Sequence, residues 1–130
     1  MVVDTSALVA IELREPERRA FGRAILAADR RLTSSASALE FVAVYAGRGR
    51  SNNPLAVVDR LIRNLGIEIV PVDDAQWRAA ATALLRYGKG RHPARLNLGD
   101  SFAYALAKVT GEPLLFKGSD FSLTDIPPAI

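Results

Sequence analysis

An α/β domain with a central, mostly parallel sheet and helices on its faces is predicted for this chain by two observations. Short strand-like runs at MVV, LTSS, IEIVPV and PLLF alternate with segments whose apolar residues recur at helical spacing. The 130 residues are 49% hydrophobic with no break in composition, which suits one core and a single domain over residues 1–130.

The elements follow in order. MVVDTS opens as a short buried strand, Val2 and Val3 leading into Asp4 and the capping-type residues Thr5 and Ser6. ALVAIEL gives a short helix, and Pro16 suits the first turn of a second helix, PERRAFGRAILAAD, in which Phe21, Ile25 and Leu26 share a face. LTSSAS is strand-like and then supplies cap hydroxyls for ALEFVAVYAGR, where Leu39, Val42 and Ala43 are expected to pack while Glu40 projects; Gly47 and Gly49 end this helix. NPLAVVDRLIRNLG carries Leu55, Val58, Leu61, Ile62 and Leu65 at helical spacing and stops at Gly66. After the strand IEIVPV, DDAQWRAAATALLRYGKG is helical with a stripe of Trp77, Ala80, Ala81, Leu84 and Leu85. LNLGDSFAYALAKVTG is the last helix, closed by Gly111, and PLLFKGSDF returns to a strand and turn.

Composition narrows the chemistry. The chain has no cysteine, which excludes disulfides, thiolate zinc sites and a cysteine nucleophile and fits a reducing compartment. The N-terminus has no basic region ahead of its apolar stretch, as a signal peptide would, and no run of about 18 uncharged apolar residues is present to span a membrane, so a cytoplasmic location is expected. No GxxxxGK[ST] or GxGxxG loop and no serine elbow appears, and the one histidine, His92, falls in a polar loop that suits solvent or a phosphate contact better than general-base work. Net charge is +3, with pI near 9.7. Arg86, Lys89, Arg91, His92 and Arg95 cluster before Asp100, and Arg48 and Arg50 follow the helix of Glu40. Arg86, Lys89, Arg91 and Arg95 are the candidates for holding a phosphodiester backbone near acids that would otherwise repel it.

Those acids are the main functional signal. Asp4, Glu40, Asp100 and Asp120 are far apart in sequence, yet each sits at or near the edge of an apolar segment. Taken singly, Asp4 reads as a helix cap, Asp100 as a first-turn helix acid and Asp120 as a turn residue. Taken together, they mark carboxyl ends of strands and starts of helices, where open α/β sheets bind ligands. Four clustered carboxylates raise one another's pKa or recruit a cation, and all-oxygen ligation suits Mg²⁺ or Mn²⁺. Asp4 and Asp100, the latter preceded by a Gly99 read as flexible, are the first choices as direct ligands. Glu40 and Asp120 would bind directly or through water, with Thr5 and Ser6 supporting a carboxylate or water.

These residues resemble the PIN-domain ribonucleases, specifically the VapC toxins of type II toxin-antitoxin pairs, over the full chain. VVDTSALVAI resembles the family's opening strand and first acid, and SASALEFVAV the helix with its glutamate. LNLGDSFAYALAK resembles the third acid's helix, and LLFKGSDFSLTDI the closing strand and fourth acid. The resemblance implies a PIN-like fold and catalytic acids at Asp4, Glu40, Asp100 and Asp120. It further implies Mg²⁺- or Mn²⁺-dependent endonucleolytic cleavage of RNA, growth inhibition, homodimerisation and neutralisation by a cognate VapB antitoxin. Antitoxin walls are expected around Leu8, Ile11, Leu13, Phe41, Val42 and Tyr45, and a dimer face on the later helices near Trp77 or Tyr104. The competing readings are a housekeeping PIN nuclease in RNA processing and a non-catalytic nucleic-acid-binding module. A full set of four acids argues against the second.

Overall fold

The computed structural model describes residues 1–49 and 51–130; Arg50, one of the two arginines expected after the helix of Glu40, lies outside them. Within these bounds the chain runs β1 (Val2–Val3), α1 (Thr5–Glu12), α2 (Arg18–Ala27), β2 (Leu32–Ser34), α3 (Ser35–Gly47), α4 (Pro54–Leu65), β3 (Glu68–Val70), α5 (Asp74–Tyr87), α6 (Leu98–Thr110), β4 (Leu114–Leu115) and a 3₁₀ turn (Asp120–Leu123). The expected alternation is present, and the caps explain the boundaries. Asn53, Asp73 and Asn97 accept from backbone N–H groups at the starts of α4, α5 and α6, while Gly66 and Gly111 end α4 and α6 in the left-handed conformation.

The sheet has strand order β3-β2-β1-β4, and every pairing is parallel. Parallel strands need crossovers, and the helix pairs α1/α2, α3/α4 and α5/α6 supply them. The alternating side-chain direction of a strand then divides the core. Val3 and Leu115 pack with α1–α4, around Leu8, Ile25, Phe41 and Leu61. Val2, Leu32 and Leu114 pack with Ala83, Tyr87, Tyr104 and Leu106 of α5 and α6. Because both faces are covered, β1 and β4 read as plain apolar runs.

The helical faces correct several expectations. Leu26, Leu55, Trp77 and Leu85, each assigned to a packing stripe, are exposed. In α3 the expected face is rotated: Leu39 and Ala43 are exposed and Val42 is half-buried, while Phe41 and Tyr45 are buried with their rings stacked at 5.4 Å. SASALEFVAVYAG is apolar nearly all round, so its pattern offered two faces, and contact with α1 and α4 selected the aromatic one. The walls expected for an antitoxin fare similarly. Leu8, Ile11, Phe41 and Tyr45 are core, with Leu13 and Val42 packed partly against it, and Tyr104 is likewise interior.

The strand order places one feature functionally. Sequence order reverses between β1 and β4, and open α/β sheets bind ligands at the carboxyl ends of strands flanking such a reversal. Asp4 immediately follows β1, and its N–H donates to Leu115 O of β4 at 2.9 Å, so its carboxylate is fixed at that point.

Candidate active site

Asp4 is both the N-cap of α1 and the deepest polar group in the site. Its Oδ2 accepts from the Ser6 N–H at 2.9 Å and from Ser6 Oγ at 2.5 Å. Ser6 Oγ in turn accepts from the Lys117 N–H at 2.9 Å, which ties Asp4 to the segment after β4. The residue is only 3% exposed, and Oδ1 has no hydrogen-bond partner among the described residues. Burial pushes the carboxyl above the usual aspartate range; the Ser6 bonds oppose this, and the nearby Glu40 charge adds to it.

Glu40 reaches the same place from α3. Its Oε2 accepts from Thr5 Oγ1 at 2.6 Å, joining the first turn of α1 to the middle of α3. Asp100 arrives from the first turn of α6, where it forms a reciprocal cap: its N–H donates to Asn97 Oδ1 at 2.9 Å, and its Oδ2 accepts from the Asn97 N–H at 2.8 Å. Burial raises Asp100 to about 6; the Asn97 bond lowers it, and the charges of Asp4, Glu40 and Asp120 raise it further.

Asp4, Thr5, Ser6, Glu40 and Asp100 therefore line one cleft of about 360 Å³. Asp120 does not line it. It is exposed at the start of the 3₁₀ turn, yet its charge is felt at Asp100. Among the described residues, no three carboxylate or imidazole groups converge tightly enough to enclose an ion, and Asp4, Glu40 and Asp100 each accept from a local donor. The donor set still fits a hard divalent cation. A buried carboxylate oxygen without a partner is costly unless a positive group meets it, and Asp4 Oδ1 is such an atom among like charges.

The basic residues divide differently from the sequence expectation. Lys89, Arg91 and Arg95 line a separate shallow recess with His92 and Pro93, and none of them lines the acidic cleft. Arg86 lies 3.7 Å from Asp125 and over the ring of Tyr87. Asp125 also accepts from Tyr104 Oη at 2.7 Å and Lys108 Nζ at 3.0 Å. His92 accepts from the Ala94 N–H and meets Tyr87 edge-on, so it shapes its loop.

The cations in the acidic cleft are Arg48 and Lys117, and sequence reasoning did not single out Lys117. Its Nζ lies 2.7 Å from Glu15 and 3.1 Å from Glu17, which together raise its pKa and fix its charge. The available signal was its position between β4 and Asp120. Glu15 reaches the cleft after a sharp turn of the chain at Arg14, where φ is 59°.

Comparison with known proteins agrees with this architecture. The PIN domain family matches residues 1–127. Ribonuclease VapC42 of Mycobacterium tuberculosis is 48% identical over 132 residues, covering 99% of this chain and 98% of that protein. Ribonuclease VapC of Mycolicibacterium smegmatis is 47% identical over 131 residues, covering 97% of each. Among solved structures, Mycobacterium tuberculosis VapC20, described as a Sarcin-Ricin loop cleaving toxin, superposes with a TM-score of 0.75 over 96% of this chain and 95% of that one, at 16% identity. That last likeness bears on the fold alone, whereas the family match and the two close relatives bear on descent. This chain belongs to the PIN-domain family, in its VapC ribonuclease branch.

Proposed function

We propose that this chain is a toxin of a type II toxin-antitoxin pair, an endoribonuclease that hydrolyses RNA phosphodiester bonds in the cleft between α1, α3 and α6. Asp4 Oδ1, buried and without a partner among the described residues, in the cleft that Glu40 and Asp100 also line at the β1/β4 reversal, is the observation that carries this reading. Asp4 and Asp100 would hold a divalent cation, Mg²⁺ or Mn²⁺, with Glu40 and Asp120 acting directly or through water. When bound, such an ion makes water a nucleophile at neutral pH and offsets charge on phosphoryl and leaving oxygens.

The chain's own groups supply the rest. Ser6 and Thr5 lock the carboxylates of Asp4 and Glu40 by donating to one oxygen of each. Glu40 keeps its other oxygen available to orient an attacking water. Arg48 brings positive charge to the same cleft for a phosphodiester to meet, while Lys117 offsets the charges of Glu15 and Glu17. Lys89, Arg91 and Arg95, together with Arg86 from the last turn of α5, would meet the RNA backbone farther along its path.

In keeping with the family, the partners are a cognate VapB antitoxin, an RNA substrate and a second copy of the chain. The working unit is one domain over residues 1–130. Among the described residues no helix is long and apolar enough to cross a membrane, and a cytoplasmic location is the setting proposed for RNA cleavage.

Mn²⁺ titration of the purified protein and its Asp4→Asn variant tests the site. Uptake by the first and its loss in the second are expected. Equal uptake by both would remove Asp4 from the site, and none by either would favour a nucleic-acid-binding module.

A further inference from the structure

Gly99 lies within the first turn of α6, a position where glycine is a poor choice on propensity alone. It was read as a flexible lead-in to Asp100, but its backbone does not adopt the left-handed conformation that would demand glycine. What surrounds it does explain the residue. A Cβ at position 99 would stand 2.1 Å from Glu40 Oε1, 2.4 Å from Cδ and 2.5 Å from Oε2, so the Glu40 carboxylate occupies the space a side chain would need. The clash is with the end of a flexible side chain, so the backbone of α6 could accept alanine while the carboxylate could not stay in place.

Two further contacts give this packing a direction. Thr5 Oγ1 holds Glu40 Oε2 at 2.6 Å. The start of α6 presents the positive end of a helix dipole, which favours a carboxylate lying against it. Glu40 is thus clamped between a hydroxyl and a bare Cα, with its charge beside Asp100 and Asp4.

We infer that Gly99 is a positioning residue of the acidic cleft: its missing side chain is the seat of the Glu40 carboxylate, and any larger residue there ejects Glu40 from the site. The inference rests on the cleft being the reactive site, as proposed above, but the seat itself is a property of the metal-free protein and can be read there.

The experiment is a double-substitution cycle on the full chain with two readouts. In metal-free protein, Gly99→Ala should raise Tm in a Glu40→Ala background, where helix propensity acts alone, and should fail to raise it, or lower it, when Glu40 is present. In Mn²⁺ titration, Gly99→Ala should weaken affinity about 10- to 100-fold, as loss of a group that orients metal ligands does. Combined with Glu40→Asp, whose shorter side chain leaves room for a Cβ, the same glycine substitution should cost less than about threefold relative to Glu40→Asp alone, the remainder a cycle leaves between uncoupled sites. Equal Tm changes with and without Glu40 would overturn the inference, as would unchanged Mn²⁺ affinity in Gly99→Ala when the parent protein binds the ion. A parent protein that takes up no Mn²⁺ but shows the Tm coupling would overturn the metal reading and leave the seat of Glu40 standing.

Discussion

Asp4 and Asp100 set the pH response of the metal-free protein. Both carboxyls are raised in the folded state, chiefly by burial, so the folded chain binds more protons than the unfolded chain between the ordinary aspartate value and the raised one. In that window stability falls as pH rises, and for Asp100 the window runs from 3.8 to about 6. Asp74 and Asp125 are lowered by their partners and act in the opposite sense, losing their contribution as pH falls below the aspartate range. In EDTA, the Asp4→Asn/Asp100→Asn double variant should therefore gain stability relative to the parent as pH rises from 4 to 7, measured by urea midpoints; a constant difference across that range would contradict the burial of these charges. Much of this site was legible in the sequence, because acids at the ends of apolar runs are visible without a fold. The roles of Lys117 and Glu15 were not, since they meet only when α1, its following turn and the segment after β4 come together. The pairing of Arg86 with Asp125 was hidden for a related reason: the sequence shows the charge of Arg86 but not that Asp125 stands beside it.

At the scale of elements, the start of α6 and the loop before it carry separable tasks. Asn97→Ala removes the side-chain half of the reciprocal cap and should cost about 0.5–2 kcal/mol in a denaturation experiment. A loss below about 0.2 kcal/mol would show that the cap does not hold this helix. The loop residues Lys89, Arg91 and Arg95 should act on affinity instead. Replacing all three with Ala should reduce the slope of log affinity against log salt by about 2 for single-stranded RNA, from about 0.7 per phosphate contact. An unchanged slope would take the loop off the RNA path. Helix existence and ends were readable here because caps and glycines are local signals, as at Asn53, Gly66 and Gly111. Helix faces were less readable, as Leu39 and Phe41 show: both are apolar, and only the neighbours of α3 determine which one is buried.

Across the whole molecule, a parallel sheet whose order reverses between β1 and β4 gathers acids from positions 4, 40 and 100 into one cleft. Asp120 contributes its charge from just outside, and two cations reach the cleft. The small net charge of +3 hides this separation, because basic residues predominate elsewhere on the surface while acids dominate one end of the sheet. The most direct measurement is cleavage of total cellular RNA by the purified, antitoxin-free protein with Mg²⁺ or Mn²⁺, beside EDTA and Asp4→Asn controls, with fragment ends mapped by sequencing. Discrete ends that appear with the divalent ion and vanish in both controls are expected. RNA left intact by folded protein supplied with the ion, or cut equally by Asp4→Asn, would contradict the proposed function.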